Sequence, residues 1–188
     1  MADSRPGPTP GSGRTRDLAA AALLTALLSA SAYLVVPLTP VPFTLQVFFV
    51  VLAGLLLSPG WAAASMGAYL ALGAAGIPVF SGGRGGLGVL AGPTGGYLIG
   101  FLLGAVAASL IRSWLGRTAL RPIASDSIAA GTAVFVIYAC GVAQLMGVAD
   151  LSLAQAVVSG VAPFIVFDVA KAVAAVAVAG PVRKARTR

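Results

Sequence analysis

The chain has 188 residues, of which 59% are hydrophobic and 9% charged, with 12 basic and 5 acidic side chains, no histidine and one cysteine, Cys140. A soluble domain carries roughly a quarter charged residues; a chain this poor in charge is expected to be an integral membrane protein. The same inventory excludes internal disulfides, zinc sites and Ser–His–Asp or Cys–His catalytic sets. With no glutamate in the chain, acid–base or metal chemistry would rest on five aspartates alone.

Residues 1–16 are rich in Pro, Gly, Ser and Thr and carry Arg5, Arg14 and Arg16, the composition of a disordered basic leader. A first apolar span covers 18–36, with Asp17 as its N-cap. Ala30-Ser31-Ala32 has the small-x-small form of a signal cleavage site, but the apolar run continues past it and removal would upset the topology below. The loop 37–42 holds Pro37, Pro40 and Pro42, a partly preset backbone suited to a lid or a tight connector. A second span, 43–57, carries Thr44 and Gln46 near its start and ends at the turn Ser58-Pro59-Gly60. Gln46 needs partners for both halves of its amide, from another helix or from a ligand.

The third span is 61–76. Like the second, it is shorter than the roughly 20 residues that cross hydrocarbon upright. The following loop, 77–93, contains a formal G-x-G-x-x-G at Gly83, Gly85 and Gly88, without the βαβ pattern or distal acid of a dinucleotide site. Its glycines suit a backbone that folds back tightly over a small solute. Arg84, within this loop, either meets a carboxylate or is solvated. The fourth span, 94–111, opens with Tyr97 at its mouth, a belt residue or a ligand contact. Gly96, Gly100 and Gly104 give it a small-xxx-small packing face.

Arg112, Arg117 and Arg121 cluster in the loop 112–125. A fifth span, 127–146, follows with Asp126 as cap, and Tyr138 and Gln144 within it suit core hydrogen bonding. Residues 151–160 are too short to span and read as a brief amphipathic surface segment. The sixth span, 163–182, starts at Pro163 and precedes the basic tail 183–188. Four spans before the 112–125 loop and two after it place both termini and that loop in the cytoplasm, with ten of the twelve basic residues inside.

The sharpest feature is Asp168 with Lys171 inside the sixth span. An ionised group at mid-membrane costs on the order of 2.5–3.5 kcal/mol even on the lenient scale. At i and i+3 the two share a helix face and can offset each other, about 8 and 12 Å from Pro163 at 1.5 Å per residue. They are either a self-neutralising pair or an acceptor and a donor set presented to a polar solute ring.

The runs Pro42-Phe43-Thr44-Leu45-Gln46, Gly76-Ile77-Pro78-Val79-Phe80, Gly92-Pro93-Thr94-Gly95-Gly96-Tyr97-Leu98-Ile99-Gly100-Phe101, and Pro163-Phe164 with Asp168-x-x-Lys171 resemble, in order, those of the BioY family. These are biotin-specific substrate-binding (S) components of energy-coupling-factor (ECF) transporters, and the likeness covers about residues 17–182. It implies an all-α integral membrane protein, a bundle of six transmembrane helices with both termini cytoplasmic, in a bacterial plasma membrane. It implies biotin as ligand, a transmembrane coupling protein and an ABC-type ATPase pair as partners, and no cofactor, nucleic acid or enzymatic activity. The chain has no G-x-x-x-x-G-K-[ST], so ATP hydrolysis would belong to the partners. Ala22 and Ala26 resemble the family's docking face for the coupling protein.

Biotin's ureido group suits the Asp168 carboxylate and the Lys171 ammonium, with Gln46 and Thr44 beside them. Phe80 and Tyr97 are the expected walls for its ring sulfur and alkyl chain. Arg84 is the expected donor to its carboxylate. Other readings are an S component for a different vitamin, a solitary secondary carrier with Asp168 as proton site, an intramembrane enzyme, and a purely structural protein.

Overall fold

The computed structural model describes residues 12–37 and 41–186, and these are mostly helical. The middle of the proposed 37–42 lid and the leader up to residue 11 lie outside the described residues. In chain order the elements are α1 (Ser12–Ser31), β1 (Val35–Val36), β2 (Phe43–Thr44), α2 (Gln46–Leu56), α3 (Pro59–Ala74), α4 (Leu87–Ala91), α5 (Gly95–Leu115), α6 (Pro122–Ala149), α7 (Leu153–Gly160) and α8 (Ile165–Arg186).

Several boundaries differ from the sequence expectation, each for a local reason. Helix α1 begins by Ser12, so residues 12–16 are helical and Asp17 lies inside the helix instead of capping it; its carboxylate accepts from Arg186 at 2.6 Å. The same helix stops at Ser31, because Val35 and Val36 pair in antiparallel register with Thr44 and Phe43. β-Branched residues beside Pro37 favour that extended form over another helical turn. Asp126 likewise sits within α6, which starts at Pro122, and Pro163 precedes α8, which starts at Ile165. The end of α8 runs on through Arg183, Lys184 and Arg186 of the presumed tail. Its arginines are held there: Arg183 by Asp126 and the Leu55 carbonyl, Arg186 by Asp17 and the Leu56 carbonyl.

Small side chains let the helices close on one another. Cβ atoms added at Gly96, Gly100 and Gly104 of α5 would come within 2.3, 2.8 and 2.9 Å of the α6 backbone at Cys140, Ile137 and Ala133. The glycine face is therefore the α5–α6 seam. On α1, Ala21, Leu24, Thr25 and Leu28 are buried while Leu18, Leu23 and Leu27 are exposed, an i, i+3, i+4, i+7 stripe. Thr25 Oγ1 and Ser65 Oγ lie 2.9 Å apart, joining α1 to α3.

The bundle has two distinct ends. At one, Asp126 at the start of α6 accepts from Arg112 of α5 and Arg183 of α8, and Asp17 of α1 accepts from Arg186. The described chain's two ends and the α5–α6 connection thus gather together. At the other lie the β1–β2 hairpin, the loop between α3 and α4, α7, and the first turns of α5 and α8. Helices α5, α6 and α8 are long and apolar enough to cross a membrane; α2, with 11 residues, is apolar but shorter.

Candidate functional site

The second end encloses a small cavity. Its volume is about 60 Å³, room for about two waters at roughly 30 Å³ each. Its apolar walls include Val47, Phe80, Leu98, Phe101, Ile137 and Phe164; its polar lining includes Thr44, Gln46, Ser81, Tyr138, Asp168 and Lys171.

Asp168 and Lys171 face this cavity from the first turns of α8 and are both buried. Lys171 Nζ donates to Asp168 Oδ1 at 2.7 Å and to the Thr44 carbonyl at 2.5 Å, and lies 3.8 Å from the centre of the Phe43 ring. The second carboxylate oxygen, Oδ2, accepts from Tyr138 of α6 at 2.6 Å. Three elements thus fix the pair: α8 supplies it, α6 orients the acid and β2 holds the base. Coulomb attraction alone rarely compensates two desolvated charges, so these extra hydrogen bonds and the cation–π contact matter.

Gln46, at the start of α2, is 2% exposed; its Nε2 donates to the Tyr69 hydroxyl at 2.6 Å and its Oε1 accepts from Thr44 Oγ1 at 3.0 Å. Tyr69 stacks edge-on against Phe80, whose ring fills the space a side chain at Gly73 would need. Tyr97 is also buried, with its ring against Gly141 and its hydroxyl donating to the Gly160 carbonyl at 2.9 Å. It is a wall of the cavity and not a surface belt residue.

Arg84 is the exception among the expected site residues. It is exposed, does not line the cavity, and its Nε donates to the Ser81 carbonyl of its own loop at 3.1 Å. The reason is a tight reversal: Phe80 and Arg84 form a β-bridge across Gly82 and Gly83, both at φ +72°. That bridge turns Phe80 inward and leaves the guanidinium outside. Gln144 of α6 behaves as core structure, its amide donating to the Leu90 and Gly92 carbonyls.

Phe43, Tyr138 and Ser81 are among the lining residues whose part sequence reasoning missed, as are the apolar walls Val47, Leu98, Phe101, Ile137 and Phe164. Phe43 had a signal in its position beside Thr44, and Tyr138 in being a hydroxyl deep inside an apolar run. Ser81 had none beyond the adjacent glycines, since its direction depends on the loop's backbone. Ala22 and Ala26 lie exposed on α1, on the face opposite its buried stripe.

The sequence matches the BioY family over residues 4–188. The chain belongs to the BioY family. It is 42% identical over 171 residues to the biotin transporter BioY of Thermotoga maritima, covering 90% of this chain and 96% of that protein. A biotin transporter BioY of Rhizobium etli is 39% identical over 169 residues, covering 86% of this chain and 89% of its own length. Among solved structures, the crystal structure of the S-component for biotin from an ECF-type ABC transporter superposes with a TM-score of 0.87 at 29% identity, over 94% of this chain and 95% of that one.

Proposed function

We propose that this BioY-family protein captures biotin at the outer face of a bacterial plasma membrane and delivers it inward as the S component of an ECF-type transporter. It is not an enzyme. The reading rests above all on the buried Asp168–Lys171 pair facing a cavity otherwise walled by aromatic and aliphatic side chains. A cyclic urea presents N–H donors and a carbonyl side by side. A carboxylate and an ammonium 2.7 Å apart offer the complementary acceptor and donor.

In this assignment Asp168 accepts a ureido N–H and Lys171 donates to the ureido carbonyl. Gln46 and Thr44 hold the edge of the ring site through their own hydrogen bond, and Phe80 and Tyr97 flank the thioether ring and alkyl chain. Arg84, exposed and engaged with its own loop, is not assigned the carboxylate. A bicyclic ligand needs more room than about two waters occupy. Binding therefore requires the walls to part.

Six passes are assigned to α1, α2, α3, α5, α6 and α8, with both termini and the α5–α6 connection cytoplasmic. The grouping of Asp17, Arg112, Asp126, Arg183 and Arg186 at one end of the bundle supports this orientation, because basic clusters stay inside. The exposed Ala22/Ala26 face of α1 is the surface offered to a transmembrane coupling protein, whose ATPase pair supplies the energy.

Equilibrium binding of radiolabelled biotin to the purified protein in detergent tests the substrate, with unlabelled vitamins of other classes as competitors. Saturable binding displaced by biotin alone is expected. Failure to bind biotin, or equal displacement by an unrelated vitamin, would refute the assignment.

A further inference from the structure

Among the described residues, two buried side-chain polar atoms have no hydrogen-bond partner, Ser81 Oγ and Ser125 Oγ, and only Ser81 lines the cavity. A buried hydroxyl left unpaired costs free energy that a small loop can avoid by turning the group to solvent. This loop does the opposite. Ser81 is 9% exposed, while Gly82 next to it is exposed.

The backbone enforces that direction. The Phe80–Arg84 bridge and the left-handed Gly82 and Gly83 close a tight reversal just after Ser81. Arg84 Nε grips the Ser81 carbonyl at 3.1 Å from the outside, and Gly82 N donates to the Ala32 carbonyl beyond the end of α1 at 2.9 Å. Tyr33 adds a bond from its hydroxyl to the Pro78 carbonyl at 2.7 Å. The loop backbone is thus anchored on both sides of Ser81, which lines the cavity with its hydroxyl buried and unpaired.

The other deeply buried polar groups of the cavity already have protein partners. Thr44 Oγ1 donates to Gln46 and accepts from its backbone N–H; Gln46 Nε2 serves Tyr69; Tyr97 serves Gly160; Tyr138 serves Asp168. If the ligand is biotin, the Asp168–Lys171 pair answers its ureido ring, and the polar group still to be matched is the carboxylate at the end of its alkyl chain. A hydroxyl is a donor that a carboxylate accepts strongly. We infer that the Ser81 hydroxyl donates a hydrogen bond to the ligand's carboxylate, with Arg84 as a positioning residue that fixes the Ser81 backbone from outside. The inference rests on the biotin reading and names the residue that reads the ligand's acid end.

The test compares biotin with an analogue whose chain ends in a methyl group in place of the carboxylate, on purified wild type, Ser81→Ala, Ser81→Thr and Ser81→Cys. Loss of one charge-assisted bond should weaken biotin binding by Ser81→Ala by about tenfold or more and leave the analogue within roughly twofold. Ser81→Thr, which keeps the hydroxyl, should retain the preference for the acid. Ser81→Cys, a weak donor of similar volume, should lose most of it, and this variant carries the test if Ser81→Ala is not monodisperse. Equal weakening of both ligands would reduce Ser81 to packing and overturn the inference. So would unchanged biotin affinity in Ser81→Ala and Ser81→Cys, with wild-type biotin binding still standing. A wild type that binds no biotin would overturn both readings together.

Discussion

Two buried aspartates, Asp126 and Asp168, sit at opposite ends of the bundle and are neutralised in different ways. Asp126 is held between two arginines of other helices, Arg112 of α5 and Arg183 of α8, and Arg183 also caps the Leu55 carbonyl at the end of α2. Asp168 has one cation from its own helix and one hydroxyl from α6, and it opens on a cavity. The first arrangement ties helix ends together across long sequence separations. The second ties little together but presents charge to a space. Burial of a charge by itself therefore says nothing of function; what the charge is joined to, and what it faces, does.

The comparison breaks most visibly at Asp126. Asp126→Ala would leave two guanidinium groups without their shared acceptor, side chains that are 31% and 23% exposed. Breaking a buried pair costs up to 3–5 kcal/mol, and the partial solvation of both arginines brings the expected loss to about 3 kcal/mol. Thermal unfolding in detergent should fall accordingly, while the fraction that remains folded should bind biotin with unchanged affinity. A large affinity loss at this position would mean that the two ends are not separate in function.

Asp168→Asn and Lys171→Ala should show the reverse pattern. Each removes one charge-assisted contact to the ligand, worth roughly 1.5–3 kcal/mol, so biotin affinity should drop about tenfold or more. Asp168→Asn keeps the side-chain volume and the Tyr138 contact, so its melting temperature should move less than that of Asp126→Ala. Unchanged affinity in both variants would reduce this pair to the same structural role as its counterpart at the other end.

The two ends were not equally legible from the sequence. An aspartate and a lysine three apart in an apolar helix announce themselves, because the membrane makes any charge there expensive. The mostly helical, membrane-spanning character was plain from the long apolar runs, but several helix ends and the short α4 inside the expected 77–93 loop were not. Asp126 could be placed only as a cap. That the chain's last helix returns beside it is a fact of tertiary packing, and the residues involved, Arg112 and Arg183, lie 14 and 57 positions away. The same limit applies within the site. Periodicity gives which face of a helix is buried, but in the 77–86 loop the left-handed glycines decide which side chain points inward. They chose Phe80 and Ser81 over Arg84.

A finer test of the cavity end lies in Tyr138. Its hydroxyl holds Asp168 Oδ2 at 2.6 Å and its ring lines the cavity. Tyr138→Phe keeps the ring and deletes the bond, leaving Asp168 with Lys171 alone. Freed on one side, the carboxylate is less well aimed at a ureido N–H, and a loss of about 1 kcal/mol, or roughly fivefold in affinity, is expected. The loss should vanish in the Asp168→Ala background, since the tyrosine acts through that side chain. Additive losses in the double variant would show that Tyr138 touches the ligand independently.

Arg84→Ala should have the smallest effect of all, and its size separates two accounts of the loop. As a direct partner of a carboxylate, the guanidinium would contribute as much as Lys171, and its removal would cost tenfold or more in affinity. As found, it is exposed and donates to the Ser81 carbonyl, so its removal takes away only one solvated neighbour of the backbone turn. The β-bridge to Phe80, the Gly82–Ala32 bond and the Tyr33–Pro78 bond all remain. An exposed bond of this kind contributes about 0.5–1 kcal/mol, so biotin affinity in Arg84→Ala should fall no more than about threefold to fivefold. A long-side-chain substitute, Arg84→Lys, should not restore what is lost, because the Nε–H that grips the carbonyl is absent from lysine. Measured salt dependence completes the discrimination: a guanidinium that paired with the ligand would make binding weaken with ionic strength in wild type and not in the variant, whereas equal salt dependence in the two keeps Arg84 outside the site.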